Sequence, residues 1–398
     1  MSLRTTPFHP RTAPLSEGHA WRRWAGYVVA SAYDLSHERE YHAIRNAAAL
    51  FDVSPLYKYM VTGVDAGRLL DRVVTRDIAK AKIGQVLYTP WCDAEGKQID
   101  DGTISVLDER TYRMTSADPN LRWLHLNAAA LDVAIEDVSE RTAALSLQGP
   151  NARAILETAA ERDLRGLKYF RLTAAAIRGI PVTISRTGYT GDLGYEIWVD
   201  AGSAVPLWDA LIATGAAYGI TPAGILALDV ARIEAGLLLI EVDYVSSRHA
   251  LIESQKSSPL ELGLGWTVAA DKARYNGQAA LHAERARGPA WQFVGLSVNW
   301  DSLEQLYADV GLPPRLPTTA WRTSVPVYAE GTHRQIGYAT SGGWSPLLKQ
   351  YMALAHLESS FASPGTRVAM EITVEHHRRQ AAAHVSALPF FNPERKRA

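Results

Sequence analysis

The sequence predicts an α+β protein of two or three domains that ends in an antiparallel β domain. At 398 residues the chain is longer than one ordinary hydrophobic core requires, so we expect it to divide into domains. Apolar residues recur with helical spacing in residues 37–48 and again in residues 204–215. From about residue 290 onward, short strand-like runs alternate with turns, at residues 293–298, 325–328, 335–341, 354–357 and 368–374.

Strands and helices also alternate through the first part of the chain. Residues 57–62 predict a strand, and residues 66–74 predict a helix. From Tyr112 a further strand leads into a helix that Asp118 or Pro119 would open. Residues 143–152 predict a buried strand that breaks into a helix just after a Gly-Pro step.

Composition and charge narrow the class of protein. A formal net charge of −1 and an isoelectric point near 6.9 provide no basic surface for nucleic acid. No apolar run is long enough to span a bilayer, and residues 1–14 lack the apolar core of a secretory signal. Cys92 is the single cysteine, which excludes an intramolecular disulfide and a cysteine-based metal cluster. We therefore expect a cytoplasmic, globular, multidomain protein with no nucleic-acid or membrane partner.

A glycine-rich turn is the most distinctive stretch of the chain. Residues 182–186 predict a strand, and a second strand begins at Tyr195. Three glycines between them allow positive φ angles and a close approach of the backbone to a flat or phosphate-like group. Glu196 emerges from this turn into an apolar strand. By residue type alone it is either a solvated edge residue or a pocket carboxylate that accepts two parallel N–H bonds.

A predicted hairpin carries two adjacent carboxylates. Residues 85–91 predict its first strand, residues 93–97 its turn and residues 98–106 its second strand. Asp100 and Asp101 stand near the start of the second strand, where side-chain alternation sends them to opposite faces. Only one of them can then face a pocket, and by residue type alone a solvated turn is the better explanation of such a pair.

Other chemistries find little support in the sequence. There is no phosphate-binding G-x-x-x-x-G-K-[ST] motif and no G-x-G-x-x-G motif after a strand, which argues against a nucleotide fold. His376, His377 and His384 invite a metal interpretation, but their charged neighbours favour a solvated edge strand or tail. We expect no metal site.

Several motifs occur together in one order along the chain. They are FDVSPL at 51–56, the hairpin at 85–106, LQGPNA at 147–152, SRTGYTGDLGYE at 185–196, PAGILALDVARIEAG at 222–236, LGLGW at 262–266, YNGQAAL at 275–281 and TSGGWSP at 340–346. Together they resemble the glycine-cleavage T-protein family, which comprises folate-dependent aminomethyltransferases and their demethylase relatives. The resemblance covers most of residues 20–388.

The resemblance implies a three-domain cloverleaf with folate in a central channel. Residues 1–50 and 142–285 would form a discontinuous folate-binding domain. Residues 51–141 would form a second domain that carries the aspartate hairpin. Residues 286–398 would form a C-terminal domain resembling a β-barrel or jelly roll.

The same resemblance assigns roles to individual residues. Glu196 would hold the pterin ring through its 2-amino and N3 groups, and Asp101 would be the catalytic carboxylate. The other residues expected at tetrahydrofolate are Tyr88, Tyr169, Arg186, Tyr189 and Trp266. Candidates for the donor substrate are Tyr27, Tyr33, Arg122, Tyr244 and His249.

Three departures from the family pattern bear on the donor. Leu228 replaces an arginine of the lipoyl-dependent enzymes, and leucine has none of its five N–H donors. Pro55 replaces a histidine, and residues 240–259 form a longer polar link than the family has. These departures favour a demethylase-type enzyme that moves a methyl or methylene group from a small methoxy, methylenedioxy, N-methyl or S-methyl donor to tetrahydrofolate. The alternatives are a genuine aminomethyltransferase that uses a lipoyl carrier protein, and a non-catalytic folate-binding regulatory protein.

Overall fold

The structure, a computed structural model, describes residues 3–397, which form nine α-helices, several short 3-10 turns and twenty strands. The helices are α1 His9–Thr12, α2 Glu38–Asn46, α3 Ala66–Val73, α4 Leu121–Asn127, α5 Ala152–Ala160, α6 Ala204–Gly215, α7 Ile225–Glu234, α8 Gln278–Arg287 and α9 Trp300–Ala308. The strands of the first half are β1 Arg4–Thr5, β2 Trp21–Trp24, β3 Tyr27–Ala30, β4 Ala48–Asp52, β5 Tyr57–Thr62, β6 Val86–Cys92, β7 Gln98–Asp108, β8 Thr111–Ser116, β9 Ala134–Asp137 and β10 Thr142–Gln148. The strands of the second half are β11 Leu172–Ile177, β12 Ile180–Ser185, β13 Gly194–Asp200, β14 Ile220–Pro222, β15 Trp291–Val298, β16 Val325–Ala329, β17 Gln335–Ser345, β18 Gln350–Glu358, β19 Arg367–Val374 and β20 His377–Ser386.

A six-stranded sheet carries the glycine-rich turn. Its order is β11-β12-β13-β10-β4-β14, and only the edge pair β4–β14 is parallel. Strand β10 lies at its centre and is buried along nearly its whole length, which explains its continuous apolar run. Helices α5 and α6 cover one face through Leu156 and Trp208, which belong to the same apolar core as β10.

A five-stranded antiparallel sheet carries the aspartate hairpin. Its order is β6-β7-β8-β5-β9, and the hairpin β6–β7 places Pro90 opposite Asp101. The predicted helix after β8 begins at Leu121, later than expected. The delay has a physical cause, because the carboxylate of Asp100 accepts hydrogen bonds from the backbone N–H of Asp118 and from the side chain of Asn120. These bonds hold residues 118–120 outside the helix.

The C-terminal strands close into a barrel in the order β15-β18-β17-β16-β19-β20, with every neighbouring pair antiparallel. The predicted α+β class and the C-terminal antiparallel β domain are confirmed. The histidines at 376, 377 and 384 are exposed to solvent, as predicted. The predicted edge position is corrected, because β20 pairs with β19 and, from Ala383 onward, also with β15, which closes the barrel. The structure has four sheets, the fourth being a small three-stranded sheet in the order β1-β3-β2. The division into three domains agrees with the three larger sheets but remains a prediction, and β4 crosses its boundary at residues 50 and 51.

A buried polar cluster around Glu234 joins the barrel to helices α2 and α7. Glu234, at the end of α7, accepts hydrogen bonds from Tyr41, from Arg45 at 2.5 Å and from Ser345 of β17 at 2.5 Å. This carboxylate is fully buried, so its partners fix how α7 lies against both units. Within residues 3–397, no helix combines the length and apolar character needed to cross a membrane.

Candidate active site

Asp101 lies at the centre of the candidate site. Tyr88, on the neighbouring strand β6, donates a hydrogen bond to its Oδ2 at 2.8 Å. Tyr244, from the long polar link at residues 240–259, donates a second hydrogen bond to its Oδ1. Asp101 is partly exposed, whereas Tyr244 is 3% exposed and packs against Leu238. Two phenols from different parts of the chain therefore orient one carboxylate.

The protonation of this group follows from its surroundings. Burial raises the pKa of Asp101, and the hydrogen bonds from Tyr244 and Tyr88 oppose that rise. Burial, followed by the negative charge of Asp101, raises the pKa of both phenols well above their ordinary value. The phenols therefore keep their protons at neutral pH and act as donors to Asp101.

Asp100 has a different set of partners, as strand alternation predicts. Its Oδ1 accepts the backbone N–H of Asp101 at 2.7 Å, and its Oδ2 accepts the side-chain amide of Asn120 at 2.8 Å. Burial and then the charge of Asp101 raise its pKa well above the ordinary value. Asp100 is fully buried and holds the chain around Asn120, while Asp101 holds the two tyrosines.

Glu196 forms a second polar group on β13. It lies opposite Ser185 of β12, and Thr187 donates a hydrogen bond to its Oε2 at 2.6 Å. Among the described residues no other group donates to this carboxylate. Burial raises the pKa of Glu196, opposed by the Thr187 hydrogen bond and the positive charge of Arg113. The carboxylate thus keeps acceptor capacity for a further donor.

Arg113 was missed by the sequence analysis. It lies on β8, and its guanidinium stacks over the ring of Trp198 at 4.0 Å. Its Nε and Nη2 are buried and have no hydrogen-bond partner among the described residues. Burial lowers its pKa to about 10, and the charge of Glu196 opposes that change. A single arginine in a strand does not reveal its role in the local sequence, because Trp198 and Glu196 belong to β13, far later in the chain.

The glycines of the turn serve a different purpose from the one predicted. A Cβ atom on Gly188 would lie 2.2 Å from the Gln148 side chain, and one on Gly194 would lie 2.1 Å from it. Gln148 is fully buried and accepts a hydrogen bond from Thr190 at 2.8 Å. Of the three glycines only Gly191 has a positive φ, of 74°. The expected close approach to a ligand is therefore corrected for Gly188 and Gly194, because they make room for Gln148.

Two predicted aromatic residues lie close to Asp101. The ring of Trp266 is 63% exposed and stacks on Tyr88, with ring centroids 6.3 Å apart. Tyr189 donates a hydrogen bond to the carbonyl of Leu238, which packs in the same apolar cluster as Tyr88. The structure thus places Trp266 beside Tyr88, and joins Tyr189 to the apolar cluster that contains Tyr88 and Tyr244.

Tyr169 and Arg186 form a separate group near the C-terminus. Arg186 donates hydrogen bonds to the carbonyl of Leu167 at 3.1 Å and to that of Lys396 at 3.3 Å. The Lys396 ammonium lies 5.8 Å from the Tyr169 ring centroid. Side chains alternate between the two faces of an extended segment, and Ser185 and Thr187 lie on the same face as Glu196. The side chain of Arg186 therefore lies on the opposite face. Their assignment to tetrahydrofolate remains a prediction.

Three of the predicted donor residues lie elsewhere. Tyr27 is on β3 beneath the guanidinium of Arg4, 4.6 Å from its ring centroid. Tyr33 is 5% exposed and lines a cavity of about 10 Å³ with Leu228. Arg122 is exposed on α4. No hydrogen bond among the described residues joins any of the three to Asp101, so their assignment to the donor is untested.

His249 lies on the surface beside two carboxylates. Its Nδ1 is 3.0 Å from Glu241 and 3.5 Å from Asp118. One oxygen of each carboxylate and one ring nitrogen of His249 lie within 4.8 Å of one another, a spacing at which these three residues can hold a metal ion. No metal site was predicted from the sequence, because Asp118 is far along the chain from Glu241 and His249, which share the 240–259 link. Exposed groups of this kind also occur without a metal.

Comparison with known proteins identifies the family. The GCVT N-terminal domain matches residues 9–272, and the glycine cleavage T-protein C-terminal barrel domain matches residues 310–392. The aminomethyltransferase of Halothermothrix orenii is 34% identical over 383 residues, which cover 95% of this chain and 96% of that protein. The aminomethyltransferase of Moorella thermoacetica is 33% identical over 398 residues, 99% of each protein. The chain belongs to the glycine cleavage T-protein family.

A solved structure supports the same conclusion at the level of the fold. The crystal structure of the glycine cleavage system aminomethyltransferase T from Bartonella henselae has a TM-score of 0.82 and 25% identity, and covers 98% of this chain. The predicted T-protein fold is therefore confirmed. As a member of the family the chain is an enzyme, a one-carbon group transferase that uses tetrahydrofolate, which also confirms these two predictions.

The described residues fit the pterin ring of tetrahydrofolate. That ring is flat and presents adjacent N–H donors on one edge, which a carboxylate such as Glu196 can accept in parallel. The buried and unpartnered Nε and Nη2 of Arg113 provide donors near this carboxylate, and Tyr88 and Trp266 provide aromatic faces. Glu196 would hold the pterin ring, and Asp101 would lie toward the atoms that receive the one-carbon group.

The departures from the T-protein pattern have clear positions in the structure. Leu228, which the resemblance places where an arginine is expected, is 8% exposed on α7 and packs in an apolar cluster with Trp198. The long link at 240–259 crosses to the five-stranded sheet, where Ser247 donates to the carbonyl of Gln98 and Arg248 donates to Asn120 at 3.2 Å. This link therefore supplies Tyr244 to Asp101, and the bonds of Ser247 and Arg248 hold the residues that follow Tyr244.

Proposed function

We propose that this enzyme transfers a one-carbon group from a donor to tetrahydrofolate, with Asp101 as the catalytic carboxylate and Glu196 as the pterin-binding residue. The observation that carries the proposal is the partly exposed Asp101 carboxylate, held by the phenols of Tyr88 and Tyr244. A fixed negative charge stabilises the positive charge that develops on an amine nitrogen during group transfer. Holding donor and acceptor in line would supply much of the remaining rate acceleration.

The names of the relatives support an aminomethyl group as the unit transferred. Eight of them, 32–35% identical, carry the name aminomethyltransferase, and alignments with them span 87–99% of this chain. In this form of the proposal the donor is an aminomethyl group on a lipoyl carrier protein. It is the better supported candidate, and it was the alternative in the sequence analysis.

A second candidate donor is a small free molecule with an N-methyl, S-methyl, methoxy or methylenedioxy group. Leu228 favours it, because an apolar side chain replaces the guanidinium that the lipoyl-dependent enzymes use. The position of the 240–259 link also favours it, because Tyr244 buries one side of Asp101. A small donor would require no docking surface for a carrier protein.

A single assay distinguishes the candidates. The purified enzyme is titrated with tetrahydrofolate by calorimetry and then incubated with aminomethyl-lipoyl protein or with each small donor. Formation of methylene- or methyl-tetrahydrofolate is followed. Product from the lipoyl protein alone supports the first candidate, and product from a small donor alone supports the second.

The matched variants are Asp101→Asn and Asp108→Asn. Both lie on β7, but Asp108 is exposed at the end of the strand. We expect the first variant to lose turnover at least a hundredfold while it still binds tetrahydrofolate, and the second to behave as wild type. Full turnover by folded Asp101→Asn would refute the proposed role.

A further inference from the structure

Three potential metal ligands from two distant segments meet at the surface beside the five-stranded sheet. Asp118 follows β8, whereas Glu241 and His249 belong to the link at residues 240–259. The Nδ1 atom of His249 lies 3.0 Å from Oε1 of Glu241 and 3.5 Å from Oδ2 of Asp118. Their side chains are 27% (Asp118), 46% (Glu241) and 51% (His249) exposed, so an ion from solvent can reach them.

The fold leaves one of these carboxylates without a donor. The Nδ1 atom of His249 carries at most one proton and can donate it to only one oxygen. Glu241 is the nearer acceptor, and its Oε1 also accepts the backbone N–H of Ser246 at 3.4 Å. The Oδ2 atom of Asp118 is buried and has no hydrogen-bond partner among the described residues. A buried carboxylate oxygen is costly without a partner, so this oxygen is suited to bind a cation.

The local charge also favours a cation. Among the described residues, no lysine or arginine forms an ion pair with Asp118 or Glu241. The guanidinium of Arg248, next to the histidine in sequence, donates instead to Asn120 at 3.2 Å and lies over the Trp123 ring at 4.8 Å. Two carboxylates therefore share one imidazole, and a divalent cation would balance both negative charges.

The spacing of the three ligand atoms suits a small tetrahedral ion. Zn²⁺ binds nitrogen at about 2.0–2.1 Å and carboxylate oxygen at about 2.0–2.2 Å, so neighbouring ligand atoms lie roughly 3.4 Å apart. The distances of 3.0 and 3.5 Å from Nδ1 of His249 bracket that value. One imidazole and two carboxylates suit Zn²⁺ better than Mg²⁺, because Mg²⁺ prefers oxygen ligands.

The position of the three residues gives such an ion a mechanical effect. Glu241 and His249 stand on either side of Tyr244 in the link, and Tyr244 donates its hydroxyl to the carboxylate at the centre of the candidate site. The backbone N–H of Asp118 donates to Asp100 of β7 at 3.0 Å. An ion bound by all three ligands would therefore join the link to the sheet that carries the aspartate hairpin.

We propose that Asp118, Glu241 and His249 bind a divalent cation of the Zn²⁺ class. The ion holds the 240–259 link in the position from which Tyr244 reaches Asp101. Its role is structural, and no step of the group transfer passes through it. The proposal goes beyond the transferase function, because the site requires neither tetrahydrofolate nor a donor.

Calorimetric titration with Zn²⁺ tests the site in the full chain, after metal has been removed with a chelator and the chelator dialysed away. The variants are Asp118→Asn and His249→Ala. The control is His377→Ala, because His377 is exposed on β20 with the ring of His376 5.8 Å away and represents zinc binding by other surface histidines. Substitution of an outer partner of a metal ligand weakens binding about tenfold to a hundredfold, so loss of a ligand should weaken it at least about tenfold. We expect this loss in both variants but not in the control, and weaker binding of Mg²⁺ than of Zn²⁺ to the wild type.

Hydrogen exchange tests whether the ion holds the link. The backbone N–H of Ser247 donates to β7, and those of His249 and Ala250 donate to the carbonyl of Ser246. Zn²⁺ should slow the exchange of these amides in the wild type and in His377→Ala, and should leave it unchanged in His249→Ala. Without metal all the variants should unfold at the wild-type temperature, because the substituted side chains reach solvent and remove no core packing.

Two results would overturn the inference. One is a wild type that binds no Zn²⁺, or binds it with an affinity that neither Asp118→Asn nor His249→Ala changes. The other is binding of Zn²⁺ by these ligands without slower exchange in the link. Neither result bears on transfer to tetrahydrofolate, so failure here is distinguishable from failure of the proposed function.

Discussion

Removal of the Tyr244 hydroxyl is the sharpest test of the Asp101 group. In Tyr244→Phe the ring keeps its volume among Leu238, Leu262 and Leu264, so the packing of this cluster should survive. The carboxylate of Asp101 then retains only the hydrogen bond from Tyr88 at 2.8 Å. The change is therefore confined to one donor on one charged group.

The size of the effect follows from the lost bond. A hydrogen bond to a charged group contributes about 1.5–3 kcal/mol, and 1.36 kcal/mol corresponds to about one pH unit in a titration. Burial already raises the pKa of Asp101, and Tyr244 is the larger of the two hydrogen-bonding influences that oppose it. Loss of Tyr244 should therefore raise this pKa further. If activity needs the ionised carboxylate, the acid limb of the pH profile should then move upward by about one to two pH units.

The assay is the pH dependence of kcat/KM for the donor that supports turnover, with saturating tetrahydrofolate. The control is Tyr351→Phe, because Tyr351 is also buried and its hydroxyl accepts a hydrogen bond from Trp321 at 2.8 Å, inside the barrel. An acid limb in folded Tyr244→Phe that coincides with the wild type would refute the reasoning. An equal displacement in Tyr351→Phe would show that the effect is not specific to Asp101.

Two other substitutions test the glycine-rich turn and its strand. In the proposed pterin site, Glu196→Gln places an N–H donor opposite the donors of the ring. We expect it to weaken tetrahydrofolate binding by about 3 kcal/mol, roughly a hundredfold in the calorimetric Kd. The control, Asp200→Asn, changes an exposed carboxylate on the same strand and should leave this Kd unchanged. Gly194→Ala places a Cβ atom 2.1 Å from the buried Gln148 and should lower the free energy of unfolding by about 1–3 kcal/mol in urea titrations. Gly166→Ala, which meets no atom within 4 Å, is its control, and equal stability of the two variants would contradict the role given to Gln148.

The sequence by itself determined most of the secondary-structure elements and the family to which the chain belongs. Local patterns are sufficient to predict strands such as β5 and β19 and helix α6, because strand alternation and helical spacing depend on residues that are near in sequence. The motifs and their order along the chain were sufficient to predict the T-protein family and the use of tetrahydrofolate. They also singled out Asp101 and Glu196, which the structure places among hydrogen-bond donors with raised pKa values.

Only the tertiary structure decided which side chains meet. The pairing of Tyr244 with Asp101 joins residues 143 positions apart, and Arg113 near Glu196 depends on two sheets coming together. The purpose of Gly188 and Gly194 required the position of Gln148, since a glycine in a sequence does not reveal what occupies the missing side chain's space. Asp118 meets Glu241 and His249 only in the folded chain. Such contacts depend on how whole sheets and helices pack, and no local pattern records that packing.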